Sequence, residues 1–186
     1  MTLRIIGGEL KGRKLVTVPG MRTRPTADRV RESIFNILGY RVRDAAVLDL
    51  FAGTGAMGIE ALSRGAESVV FADVKPAALG ALKKNVISCS LENRTRTIKW
   101  NILKNLNILH KHEPAFSLVF IDPPYDKNMV QPTLSNLVRS QCLENGATLV
   151  IEHAMMETIP QDLPGFDISD QRRYGKTLVS FLISMV

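Results

Sequence analysis

Two short strings in this chain place side chains where they could do chemistry. In AVLDLFAGTGAMGIEAL, residues 46–62, Asp49 lies inside an apolar run, and Gly53, Gly55 and Gly58 follow at G-x-G-x-x-G spacing. Glycines permit a tight turn and let backbone N–H groups approach a ligand with no Cβ in the way. Asp73 closes the next apolar run, VVFAD, twenty residues past Gly53, where an acid can accept both hydroxyls of a ribose. The glycine spacing by itself suits either a dinucleotide or a nucleoside cofactor. A carboxylate at Asp49, near the carboxyl end of a strand, would repel the pyrophosphate of NAD but attract the ammonium and sulfonium groups of S-adenosylmethionine. Two acids around the turn therefore favour S-adenosylmethionine; a capping or solvated role for Asp49 is the plainer alternative. Phe51 and Val74, next to these acids, complete the candidate cofactor residues of the two strand ends.

The second string is FIDPPY, residues 120–125. After an apolar strand, Asp122-Pro123-Pro124 makes a stiff turn, because each proline fixes its φ angle and removes a competing N–H. Tyr125 then offers a flat ring at the sheet edge. The Asp122 carboxylate and the Pro123 carbonyl can each accept one N–H from an exocyclic amine of a nucleobase. Those bonds would orient the nitrogen and stabilise the positive charge that develops as a methyl group arrives. Tyr125 can stack on the base for about 1–3 kcal/mol. A base inside a duplex is out of reach, so the target must be unpaired or flipped. Asp122 or water can take the leaving proton. The bland alternative is that Asp-Pro-Pro is a rigid strand exit.

Both strings need a parallel sheet to bring them together. From residue 46 the chain alternates strand and helix, the pattern of a doubly wound α/β fold. Strands are expected at 46–51, 68–73, 95–100, 117–122, 147–152, 166–171 and 177–184, and helices at 57–64, 77–88, 103–111 and 129–139. The last two strands, joined at Tyr174-Gly175-Lys176, should pair antiparallel as a hairpin. Ligands of such sheets lie beyond the carboxyl ends of the strands. Asp49, Asp73, Asn101 and Asp122 all fall at such ends. Asn101 could hydrogen-bond an adenine ring or simply cap a loop. His153, just after an apolar run, is a weaker candidate.

Ahead of that unit, RIIGGELKGRKLVTVPG reads as a β-hairpin ended by Pro19-Gly20. A helix follows from a Thr26 N-cap to about Leu38, with Val30, Ile34, Ile37 and Leu38 on one face and Gly39 at its end. The apolar stripe should dock this helix on the main unit. Two domains result: residues 1–43, a basic hairpin and helix, and residues 44–186, a methyltransferase-like catalytic unit.

Charge is unevenly placed. Of the 24 Lys and Arg, ten lie in residues 1–43 against three acids, while the remaining residues are nearly balanced. All the excess behind the net charge of +6 thus sits in the N-terminal quarter. Arg4, Lys11, Arg13, Lys14, Arg22, Arg24 and Arg29 are the candidate contacts to a polyanion, against a plain solvated face. An apolar fraction of 45% argues against disorder. No apolar run approaches the roughly 20 residues that span a bilayer, so a soluble, cytoplasmic protein without membrane contact is expected. Cys89 and Cys142 read as small buried hydrophobes in a reducing compartment. His110 and His112 lack neighbouring ligands, and no metal site is expected.

RIIGGELKGRKL, TRPTADRVRESIFNIL, LDLFAGTGAMGIEALSRGA and FIDPPY together resemble the 16S ribosomal RNA guanine-N2 methyltransferases of the small D-type family. The resemblance covers nearly the whole chain, including the closing YGKT hairpin. It implies S-adenosylmethionine as methyl donor and one guanine of small-subunit RNA as target, on RNA already carrying ribosomal proteins. It also implies cofactor roles for Asp49, Gly53, Gly55 and Asp73, and a catalytic role for Asp122 to Tyr125. Relatives often have Glu where this chain has Asp73. A monomer is expected. The same motif would serve adenine N6, since DPPY alone also occurs in adenine-N6 methyltransferases. An NAD-dependent oxidoreductase and a non-catalytic RNA-binding assembly factor are the readings from other classes.

Overall fold

Parallel strands covered by helices on both faces must be apolar on both sides, and the central strands here are. In the computed structural model, which describes residues 3–18, 25–125, 127–160 and 163–186 (backbone alone at 25–27), every residue of β1, Ala46–Leu50, is buried. Its neighbours β2, Ser68–Asp73, and β4, Phe116–Ile121, are buried along nearly their whole length. The sheet is completed by β3, Thr95–Lys99; β5, Leu143–Ala154; β6, Phe166–Tyr174; and β7, Thr177–Ser184. Strand order is β3-β2-β1-β4-β5-β7-β6, with β7 antiparallel to both β5 and β6. The order reverses at β1, which pairs in parallel with β2 on one side and β4 on the other. A crevice opens at such a switch point, beyond the carboxyl ends of the strands.

The helices are α1, Pro25–Leu38; α2, Ala56–Ser63; α3, Pro76–Ser88; and α4, Val130–Ser140. One apolar cluster joins α1, α2 and α3 to one sheet face through Ile34, Ile59, Leu82 and Phe120. The other face packs α4 and the segment after β3, through Leu134, Leu106 and Ile151. The apolar stripe expected on the first helix does dock: Val30, Ile34 and Leu38 are all buried. Leu3, Ile5 and Leu15 of the N-terminal segment join the same cluster.

Three expectations change. Residues 103–111 do not form a helix; among them only Asn107–Leu109 makes a single 3-10 turn. Asn101, Asn105 and Asn107 punctuate this stretch. Asn101 and Asn105 each accept an N–H two residues ahead (Leu103 and Asn107), which competes with helix. The N-terminal hairpin narrows to one antiparallel bridge between Arg4 and Lys14, closed by Ile5 N–H donating to the Arg13 carbonyl at 2.9 Å. The helix after it starts at Pro25, a residue suited to a first helical position, rather than following a Thr26 cap. Arg22, Arg24 and the Pro19-Gly20 break lie outside the described residues.

Candidate active site

The turn after β1 is built by backbone conformations that few residues tolerate. Phe51 takes a left-handed φ of 60°, and Gly55, the residue before α2, has φ 79°. A Cβ on Gly55 would sit 2.3 Å from the Leu82 side chain, and one on Gly58 2.4 Å from the Phe71 ring. Glycine at 55 and 58 thus lets α2 lie directly on β2 and α3. This closeness also brings the Gly58 N–H within 3.0 Å of the Asp49 carboxylate. The Asp73 carboxylate accepts the N–H groups of Gly53 at 2.9 Å and Lys75 at 2.8 Å, tying the turn to the end of β2.

A cavity of about 750 Å³ opens at these strand ends. It is lined by Asp49, Phe51, Gly53, Asp73, Val74 and Asn101 from the first three strand ends, and by Asp122, Pro123, Pro124 and Tyr125 from the fourth. Of the residues singled out at the strand ends, Gly55 is buried in the turn behind the wall, and His153 stands apart. The buried His153 ring meets the Ser180 hydroxyl at 2.8 Å, joining β5 to β7. Asn101 keeps both of its readings: its Oδ1 caps the loop at Leu103 N–H, while the residue lines the cavity wall.

Electrostatically the cavity is short of positive charge. Asp49, Asp73, Asp122 and Glu152 line it against Lys75 and Lys127, and among the described residues no ion pair involves any of these carboxylates. Burial, offset in part by the Gly58 N–H and reinforced by the charge of Asp73, raises the Asp49 carboxyl to about 8. Asp122 rises well above the ordinary carboxylate range, first through desolvation and then through the charges of Glu152 and Asp49. As a residue, Asp122 remains exposed at the cavity wall. Uncompensated carboxylates of this kind suit a cationic ligand and oppose a pyrophosphate. The acidic lining therefore fits a cationic cofactor such as S-adenosylmethionine.

Tyr125 is 38% exposed on the cavity wall. Its hydroxyl donates to Glu152 Oε1 at 2.5 Å and lies 3.1 Å from Thr177 Oγ1, so the ring is held by two strands. Burial and the bond to Glu152 both raise the phenol's pKa, which keeps it a proton donor to that carboxylate. Sequence reasoning missed Glu152, although it follows an apolar strand as the other acids do. It also missed Trp100, the sole tryptophan, whose indole lines the cavity while donating to the Asn105 carbonyl at 2.8 Å.

The five described basic candidates do not line the cavity. Arg4, Lys11, Arg13, Lys14 and Arg29 are exposed. Arg13 donates to the Ser88 carbonyl at the end of α3, while α3 begins at the cavity with Ala77 and Ala78. Thirteen residues of helix separate those ends, roughly 20 Å at 1.5 Å per residue. The chain returns to the cavity at Val18, which lines it. Cys89 and Cys142 are buried free thiols, and among the described residues no cluster of three or more metal-ligating side chains forms. No described helix is long and apolar enough to cross a membrane.

A seven-stranded sheet of this order, with an acidic cavity at its switch point, is the Rossmann-like architecture of the S-adenosylmethionine methyltransferases. The chain belongs to the family described as conserved hypothetical protein 95, whose model matches residues 3–183. It is 36% identical to the Bacillus subtilis protein named "Putative rRNA methyltransferase YlbH", covering 96% of this chain and 97% of that one. With the "Ribosomal RNA small subunit methyltransferase D" of Haemophilus influenzae it shares 37% identity over 81% of this chain and 78% of the relative. The solved structure titled "Putative methyltransferase yhhF from Escherichia coli" superposes with a TM-score of 0.86 at 29% identity, over 99% of this chain and 98% of that one. The family resemblance seen in the four sequence strings is thereby established.

Proposed function

We propose that this protein is an S-adenosylmethionine-dependent methyltransferase that modifies the N2 amine of a guanine in 16S ribosomal RNA, within a small-subunit ribonucleoprotein particle. The observation that carries the reading is the convergence of Asp49, Asp73 and Asp122-Pro123-Pro124-Tyr125 on one cavity. The names of the relatives support ribosomal RNA as the substrate class. Residues 44–186 serve as the catalytic unit and residues 1–43 as its RNA-facing extension.

Bound in the cavity, S-adenosylmethionine supplies an electrophilic methyl group. Asp73 would accept the ribose hydroxyls with the lone pairs that Gly53 and Lys75 leave free. Phe51 and Val74 would hold the nucleoside, with Asn101 at its base and Asp49 at the cationic end. Asp122 and the Pro123 carbonyl each accept one N–H of the target amine, fixing the nitrogen and stabilising its growing positive charge. Asp122 or water then takes the released proton. Tyr125, braced by Glu152 and Thr177, stacks on the flipped base.

Small-subunit particles from cells lacking this protein, incubated with labelled S-adenosylmethionine, should gain label at one guanine, recovered as N2-methylguanosine after digestion. Asp122→Asn should lower the rate by at least about a thousandfold while RNA binding persists. Recovery of N6-methyladenosine instead would establish the adenine reading, and full activity in the variant would remove Asp122 from the chemistry.

A further inference from the structure

The residues above grip an exocyclic amine, which guanine and adenine both carry, so something else must tell the two bases apart. Their Watson–Crick edges differ next to that amine: guanine offers a second donor, N1–H, and adenine offers an acceptor nitrogen. Glu152 lines the same cavity as Asp122. Ile121, the last residue of β4, pairs in parallel register with Ile151 of β5; Asp122 follows directly after β4, and Glu152 is the next residue of β5. Neighbouring strands lie about 4.8 Å apart, and residues in parallel register share a face. Both residues line the cavity wall. Tyr125 occupies Glu152 Oε1, while no described residue is hydrogen-bonded to Oε2.

We infer that Glu152 is the base-selecting residue of this site, accepting guanine N1–H beside the amine held by Asp122. Two adjacent carboxylates meet two adjacent donors on guanine. Adenine would set its ring nitrogen's lone pair against the Glu152 carboxylate, leaving two acceptors face to face and one buried group unpaired. The charge of Glu152 is also the second cause of the raised Asp122 pKa, as expected of close neighbours. The inference rests on the guanine reading above.

The test uses the full-length protein and small-subunit particles whose mapped target guanine is replaced by 2-aminopurine, which keeps the amine and lacks N1–H. The wild type should prefer guanine over 2-aminopurine by roughly a hundredfold in kcat/KM. Glu152→Gln, which offers an N–H where the carboxylate offered a lone pair, should bring that ratio to within a few-fold, with cofactor affinity unchanged. Tyr125→Phe, which frees Oε1 but leaves the carboxylate, should slow both substrates and keep the ratio. If Glu152→Gln slows both bases equally and the ratio survives, Glu152 merely braces Tyr125 and the inference is overturned while the guanine reading stands. If the wild type yields N6-methyladenosine on unmodified particles, the guanine reading itself falls and takes the inference with it.

Discussion

Asp49 shows how one buried carboxylate couples stability to ligand binding. In the unfolded chain it has the ordinary value of 3.8, and folding raises it to about 8. Between those values the folded protein holds a proton that the unfolded chain has lost, so Asp49's contribution to stability declines as pH climbs through that window. A cation bound beside it favours the ionised form, so binding at pH 7 should expel a proton. Calorimetry of S-adenosylmethionine binding in buffers of different ionisation enthalpy should register a release approaching one proton at pH 7. Asp49→Asn should abolish the release, weaken the cofactor at least about tenfold and flatten the fall in Tm between pH 5 and 8. Proton release that persists in the variant would show that Asp49 is not the group responsible.

Among the elements, the N-terminal segment and α3 form a strap across the glycine turn after β1, and Asn85 is its rivet. Fully buried, its side chain accepts the Val16 N–H at 2.6 Å and donates to the carbonyls of Val16 at 3.0 Å and Thr54 at 2.9 Å. Thr54 lies between the two glycines of the turn, and Val18 reaches the cavity wall. Glu60 closes the other end, accepting the Ile6 and Gly7 N–H groups at 2.7 and 2.8 Å while pairing with Arg64. Removing the Asn85 amide takes a partner from three part-buried backbone groups, the Val16 N–H and the carbonyls of Val16 and Thr54, at about 0.5–1.5 kcal/mol each. Asn85→Ala should therefore lower Tm by about 5–10 °C and weaken S-adenosylmethionine binding, both readable by a thermal shift with and without cofactor. Normal cofactor affinity in a folded variant would show that the strap and the turn are independent.

Over the whole molecule, the cavity is acidic and the N-terminal surface basic. That division suits a cationic cofactor held inside and a polyanion bound outside. Arg13 is engaged with the end of α3, so Lys11 and Lys14, exposed on the same loop, are the cleaner electrostatic probes. Reversing both to Glu should weaken RNA binding and lower the slope of log affinity against log salt by about 2 or more, with cofactor affinity intact. A filter-binding titration that returned the wild-type slope would move the RNA contact elsewhere. With this loop about one helix length from the cavity, the proposed contact predicts an RNA footprint of several nucleotides beyond the target base.

The α/β class, the sheet's seven strands and the acids at their ends follow from the chain's own periodicity. A strand buried on both faces leaves a continuous apolar run that ends where its polar residue emerges, as at Asp73 and Asp122, while Asp49 stands out as the one acid inside such a run. Glycine spacing marked the turn for the same local reason, since Gly55 needs its φ and Gly58 its missing Cβ. Residues 103–111 depart from the expected helix because side-chain capping by asparagines outweighs a weak apolar pattern. Glu152 and Trp100 stayed hidden for a different reason. Glu152 matters only because β5 pairs in register beside β4, and Tyr125 only gains its fixed pose from Glu152 and Thr177, 27 and 52 residues away. Such juxtapositions depend on strand order and register, which couple distant residues and leave no spacing signal in the sequence. Local pattern therefore determined the parts and their chemistry, and tertiary pairing decided which acids face the same space.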